Sequence, residues 1–319
     1  MLQRTDTFAE LWQFLDGHTC ASDTGMAIAP WSVSTLPGGT DVNAFALSGT
    51  TLVAAGAHGK TWTYTGGAWA SDLARDDADY TALCFGPSVA FVGGDYQVAF
   101  GTATTWNTGA GFPDYGMLGA GWASAASCRD DGSVVVVGYW SSALTANGGT
   151  TWSQFHEPTM YPGVESQLAG VGTSSGGATV AVGYYDYVGR TPAGQTTSVV
   201  VDHPNPAGAE WWNGVAAQPG GLFWVVGDNG SILASTDDGQ TWSVQVSNTT
   251  ENLYAVHFFD ATHGAAVGRR GTVVVTGDGG HSWMLRPLGK DVYLGAVHVD
   301  ATTVWIAGEA GLVATSPRD

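Results

Sequence analysis

Short apolar runs that end on glycine recur along the whole chain. They are LVAAG at Gly56, AFVGG at Gly93, VVVVG at Gly138, TVAVG at Gly183, FWVVG at Gly227, GAAVG at Gly268 and VWIAG at Gly308. Each is too short for a helix, rich in Val, Ala or aromatics, and bounded by Gly, Asp or Asn, the pattern of strands between tight turns. The spacing of 37 to 45 residues between these glycines fits a four-stranded propeller blade and exceeds a leucine-rich repeat. The sixth unit is the clearest. NLYAVHFF reads as an inner strand, HGAAVG as a second, GTVVVT as a third after Arg269-Arg270, and WMLR as an outer strand.

The turn before the outer strand has its own signature. Ser235, Asp237, Gly239 and Trp242 read S-x-D-x-G-x-T-W. Thr276, Asp278, Gly280 and Trp283 repeat it, as do Thr145, Asn147, Gly149 and Trp152 with Asn for Asp. Unit 4 keeps Gly194, Gln195 and Thr196, and units 1 and 2 keep the final Trp69 and Trp106. A hydroxyl and a carboxylate two residues apart can bond the backbone of their own turn. Glycine permits positive φ, and the tryptophan packs between sheets. Turn chemistry therefore accounts for these aspartates without a catalytic or calcium-binding role. The motif resembles the Asp-box, or BNR repeat, of sialidases and related propellers.

The last unit shows only three strands, VYLGAVHV, TTVWIAG and GLVATS. An open edge is a liability. Trp31 precedes Val42 by the same spacing as Trp242 precedes Leu253 and Trp283 precedes Leu294. Trp31 is thus read as the box tryptophan of blade 7, with Ala29 to Ser34 pairing Gly311 to Ser316. The fold class is all-β: a seven-bladed β-propeller of four-stranded blades over residues 26–319, the last blade closed by an N-terminal strand. Residues 1–25 form an extension. Thr7 and Glu10 have capping-box spacing, and Phe8, Leu11, Trp12 and Leu15 share one helical face, which predicts a short amphipathic helix.

Composition supports this picture, with 47 Gly, 14 Trp and only 12% charged residues. The net charge of −18 argues against nucleic acid and anionic lipid as partners. No apolar run is long enough to insert in a membrane as a helix. The first residues lack the basic and apolar regions of a signal peptide, so an extracytoplasmic location is expected only if a leader was removed. Cys20, Cys84 and Cys128 are too sparse for a disulfide framework or a metal-ligand spacing. No metal and no cofactor is expected.

In propellers the turns between second and third strands, and the links between blades, share one face, here called the upper; the Asp-boxes lie on the lower. Projected so, blade 3 offers Tyr139 and Trp140, and blade 4 offers Tyr184, Tyr185, Asp186 and Tyr187. The two long neighbouring links add Tyr115, His156 and Tyr161, and blade 6 adds Arg269 and Arg270. Loop aromatics beside carboxylates suit recognition of a protein or a glycan.

Blades 5 to 7 carry L-x-A-V-x-F-x-D-x-x-x-G-x-A-V-G-x-x-G-x-V-x-x-T-x-D-G-G-x-S-W, which resembles the photosystem II assembly/stability factor family and its non-photosynthetic relatives. That resemblance implies a non-enzymatic, extracytoplasmic seven-bladed propeller that binds other proteins, working as a monomer or within a larger assembly. The arginine patch of its photosynthetic members has only Arg190, Arg269 and Arg270 as counterparts. A sialidase would need an Arg-Ile-Pro signature and a triarginyl cluster, and the chain lacks the first. No Ser/His/Asp, HExxH or P-loop motif appears. The reading is a non-enzymatic binding or scaffold propeller. The alternative is a carbohydrate-active protein, a glycoside hydrolase or lectin, in which Asp114, Glu157 and Asp186 converge on the same face.

Overall fold

A computed structural model describes residues 30–73, 78–94, 97–108, 122–139, 142–155 and 167–318. The helix expected within residues 1–25 lies outside them, as do Trp140, Tyr115, His156 and Tyr161. Trp31 to the C-terminus form one compact unit. It contains seven antiparallel sheets of four strands. Six sheets run in chain order from inner to outer strand; in the seventh, Leu294–Val299, Thr303–Gly308 and Leu312–Pro317 are completed by Ser32–Thr35. Inner strands of successive blades touch around the full circle, the last against the first.

The recurring glycines have a steric origin. Each inner strand carries a bulge just after the residue opposite its glycine. The bulge drives the preceding carbonyl toward the glycine: Asp41 toward Gly56, Trp122 toward Gly138, Asn252 toward Gly268, Tyr293 toward Gly308. A Cβ on any of these glycines would strike that oxygen. In blade 2 the position belongs to Gly94, opposite Tyr80, one residue beyond the Gly93 chosen from sequence.

Seven apolar clusters fill the seven interfaces between neighbouring blades. Trp31, Trp152, Trp242 and Trp283 directly precede an outer strand, Trp69 and Trp106 lie in one, and all six pack against the preceding blade. Blade 4 has no such tryptophan, and its interface with blade 3 is filled by Phe155 and Tyr187 instead. The box turns are self-contained. Ser235 Oγ donates to Asp237 Oδ1 (2.8 Å) and accepts from Gly239 N (3.0 Å). Asp237 then accepts from Thr241 N (2.9 Å) and Thr241 Oγ (2.6 Å). Asp278 repeats this with Thr276, Gly280 and Ser282. In blade 3 Asn147 accepts from Thr151 N but donates to Thr151 Oγ.

Closure follows the tryptophan spacing, with a shift of register. Trp31 directly precedes the closing strand, as Trp242 and Trp283 precede theirs. The strand is therefore Ser32–Thr35, paired Ser32 to Thr315 and Thr35 to Leu312, two residues off the register expected for Ala29 to Ser34. Trp31 Nε1 donates to the Arg286 carbonyl (3.1 Å), and the buried Arg286 reaches Ser316 Oγ (2.7 Å).

The cysteines correct the sequence reading. Cys84 and Cys128 are disulfide-bonded across the inner strands of blades 2 and 3, with Cα atoms 5.5 Å apart. Their separation of 44 residues is one blade repeat. Sequence spacing alone could not show this, because the bond depends on two blades being neighbours.

Candidate functional site

The upper face is organised by one repeated turn. His58-Gly59, Asn229-Gly230, Arg270-Gly271 and Ala310-Gly311 each place two consecutive residues at positive φ between second and third strands. Three of these turns are tied by a side chain of the next blade: Asp79 accepts from His58 N (2.9 Å), Asn252 from Asn229 N (3.0 Å) and Asp41 from Ala310 N (2.8 Å); in the fourth the Val292 carbonyl accepts from Gly271 N (2.7 Å).

Blade 4 departs from the rule. Tyr185 and Asp186 both adopt positive φ, so an aspartate stands where the other turns have glycine. That conformation costs a non-glycine residue free energy unless the surroundings hold it. Here they do. Asp186 Oδ1 accepts from His203 Nε2 (3.0 Å), Asn205 Nδ2 (2.8 Å) and Trp212 Nε1 (2.8 Å). Asp186 is the anchor of the turn.

The anchored turn carries a ring stack. Tyr184 and Trp211 lie nearly parallel with centroids 4.4 Å apart, and Tyr185 packs on Tyr184 at 3.9 Å. Tyr185 is 49% exposed. Beside them, Trp122 and Tyr139 meet edge-on at 5.9 Å, and Trp122 is also exposed. Tyr254 and Tyr293 form a third pair at 4.7 Å. The central channel is a cavity of 610 Å³ whose wall includes Asp41, Asp79, Trp122, Asn213, Tyr254 and Tyr293.

Electrostatics at the mouth are dominated by carboxylates. Burial pushes the Asp228 carboxyl up, and nearby Glu210 adds to the rise against hydrogen bonds from Asn213 and the Trp211 backbone. The Tyr293 phenol is pushed up to about 12, first by desolvation, then by Tyr254, Asp41 and Glu309. Arg270 pairs with Glu251 at 2.9 Å. Arg269 lies near Tyr254, where its charge opposes the rise that burial gives that phenol. Among the described residues no group of three His, Cys, Asp or Glu is arranged to hold a metal.

The sequence-derived residues thus fall into distinct places. Tyr139 pairs with Trp122, and Tyr184 and Tyr185 stack with Trp211, at the ends of second strands on blades 3 and 4. Tyr187 is buried in the interface of blades 3 and 4, substituting for the missing box tryptophan, and presents no surface. Asp186 is committed to its three donors. Arg269 and Arg270 belong to blade 6, apart from the ring stack. Arg190 reaches a box turn instead, its Nε donating to the Asp238 carbonyl (2.6 Å). Sequence reasoning missed Trp211, Tyr254 and Tyr293 because each sits at the start of an apparent inner strand. The signal was there: an aromatic at or before the bulge is turned to the mouth, while its neighbour, such as Trp212 or Leu294, is buried.

The family model of the photosynthesis system II assembly factor YCF48 matches residues 244–317. Over 54 residues the chain is 40% identical to photosystem II assembly protein Ycf48 of Synechococcus sp. (strain JA-3-3Ab). It is 38% identical to that of strain JA-2-3B'a(2-13). Each match spans 16% of this chain and 16% of the relative. Among solved structures, YCF48 bound to D1 peptide superposes with a TM-score of 0.72 at 15% identity, covering 92% of this chain and 97% of that one. YCF48 from Cyanidioschyzon merolae gives 0.69 at 15% identity over 90% and 98%. An inactive variant of virginiamycin B lyase from Staphylococcus aureus gives 0.71 at 12% identity over 91% and 100%. The structural likenesses establish the fold.

Proposed function

We propose that this chain, an Asp-box seven-bladed propeller resembling the YCF48 family, is a non-enzymatic binding propeller that holds a protein partner on its upper face. The observation that carries the reading is the Tyr184–Tyr185–Trp211 stack, fixed on a turn whose strain is held by three hydrogen bonds to Asp186. Rigid exposed Tyr and Trp side chains are the commonest anchors of protein interfaces, since little conformational entropy is lost when they are covered. A propeller of the same fold over 92% of this chain has been solved with a D1 peptide, which supports a peptide-holding role. The glycosidase alternative draws no support from Asp186, whose Oδ1 already serves three donors.

The partner contacts extend over blades 3 and 4, from Trp122 and Tyr139 to Tyr185. The protein works outside the cytoplasm, as the Cys84–Cys128 bond favours an oxidising compartment. Affinity capture from the native host tests the reading, comparing wild type with Tyr185→Ala and Trp211→Ala. A partner held by wild type and lost by both variants supports it. A partner held equally by all three removes the ring stack of blades 4 and 5 from the interface.

A further inference from the structure

The chemistry of the mouth narrows what kind of protein segment it fits. The described wall of the central cavity carries the carboxylates of Asp41 and Asp79 and no lysine or arginine. The ring stack is flanked by two more. Asp228 N donates to the Trp211 carbonyl (3.0 Å), and Glu210 precedes Trp211 in the chain. Across the ring, Glu309 on the turn of blade 7 donates its N–H to the Tyr293 carbonyl (3.1 Å). The described cations on this face are Arg270, paired with Glu251 at 2.9 Å, Arg269, Lys60, directed at the Gly38 carbonyl, and the exposed Lys290 of the link into blade 7. Aromatic faces carry negative π-density, so rings and carboxylates here present one sign of potential. A concave site lined by one sign with low-dielectric walls concentrates that potential. Asp228 and Tyr293 are pushed up first by burial, to which Glu210 adds at the one and Tyr254, Asp41 and Glu309 at the other.

Resting on the protein-binding reading above, we propose that the mouth recognises a basic segment of the partner. An arginine or lysine side chain lies on the Tyr184–Tyr185–Trp211 stack, its charge met by Glu210 and Asp228, and a following cation points into the channel toward Asp41 and Asp79. The planar guanidinium stacks on a ring while its edge bonds carboxylates, so arginine is favoured over lysine. An acidic segment or a free carboxylate terminus is repelled from the same place.

The test uses the full chain and three fluorescent, end-blocked Gly-Ser peptides bearing arginines, citrullines or glutamates at the same positions. Fluorescence anisotropy at low ionic strength reads the affinity. The arginine peptide is expected to bind about 10-fold tighter than the citrulline peptide, and to weaken as salt screens the charges. Tyr185→Ala lowers its affinity about 2- to 5-fold, the range of one exposed cation–π contact. Glu210→Gln with Glu309→Gln, both at exposed positions, weakens the arginine peptide and leaves the citrulline peptide unchanged. Arg269→Ala does not weaken it. Equal binding of the arginine and citrulline peptides, tighter binding of the glutamate peptide, or indifference to the carboxylate variants would overturn the inference. If capture of the native partner still depends on Tyr185 in that case, the charge preference alone falls. If neither depends on Tyr185, the upper-face function falls with it.

Discussion

Lowering the pH from 7.5 to 5.0 probes a pair of histidines between blades 6 and 7, His298 buried and His257 half-buried. The rings of His257 and His298 lie 4.5 Å apart on adjacent inner strands. His257 Nδ1 accepts from Val299 N (3.1 Å), so protonating it would set two N–H groups against each other. His298 is 5% exposed, and its Nε2 finds no hydrogen-bond partner among the described residues. Burial pushes the His257 pKa down to about 3, with His298 adding to the fall. Burial likewise pushes His298 down to about 4, opposed by Asp300. The unfolded chain takes up both protons near the ordinary value of 6.5, whereas the fold keeps the rings neutral until pH 3 to 4. Stability is therefore full above pH 6.5 and declines as pH falls from there toward 4. At pH 5 the loss depends almost wholly on the unfolded state, about 2 kcal/mol per ring and about 4 kcal/mol for the pair. The depressed carboxylates add little, being ionised in both states at that pH. For a domain of this size the melting temperature falls by about 2 °C per kcal/mol, so by about 8 °C. Denaturant titrations of wild type and His257→Gln/His298→Gln at both pH values make the comparison. A wild type equally stable at both, or a double variant that loses as much, would refute the reasoning.

Three further outcomes follow from the ring itself. Gly268→Ala drives a Cβ into the Asn252 carbonyl and should cost more than about 3 kcal/mol, while Gly277→Ala, which meets nothing, should stay within about 0.5 kcal/mol; thermal melts of the two separate them. Reducing the Cys84–Cys128 bond frees a loop of 44 residues and should cost up to about 4 kcal/mol in denaturant midpoint measurements with and without reductant. Asp278→Ala strips the acceptor from Ser282 N, Ser282 Oγ and Thr276 Oγ and should cost about 1–2 kcal/mol. Those bonds hold its carboxyl at about 2, so its contribution persists above pH 3.8 and is lost as pH falls through about 2, which carboxyl NMR would report.

The blade count, the box turns and the closing tryptophan were legible because each rests on local chemistry repeated in register. A turn that needs Gly239 and Asp237 writes them at fixed spacing, and so does a bulge that forbids a Cβ at Gly268. What failed was what one blade demands of another. Tyr187 reads as a loop aromatic, yet it is buried because blade 4 lacks a box tryptophan and its neighbour needs filling. Asp186 reads as a surface carboxylate, yet its partners come from positions 203, 205 and 212, which no local pattern connects to it. Cys84 and Cys128 look unrelated until their blades are adjacent. The aromatics of the mouth were half legible: those in turns were found, and Trp211, Tyr254 and Tyr293, placed where turn meets strand, were not.

The pairing of Ser34 with Val313 spans 279 residues and sets a schedule for biosynthesis. Its closing strand leaves the ribosome among the first described residues, and its mate among the last. At about 5–20 residues per second the early strand waits roughly 14 to 56 s for its partner. Blades 1 to 6 can stack as they emerge, since each contacts its predecessor. Throughout that interval the nascent chain carries an unpaired β-strand at one end and a growing open edge at the other. The seam that completes the finished ring is thus where a chaperone has most to shield, and where a stalled or truncated product would be most prone to join its neighbour.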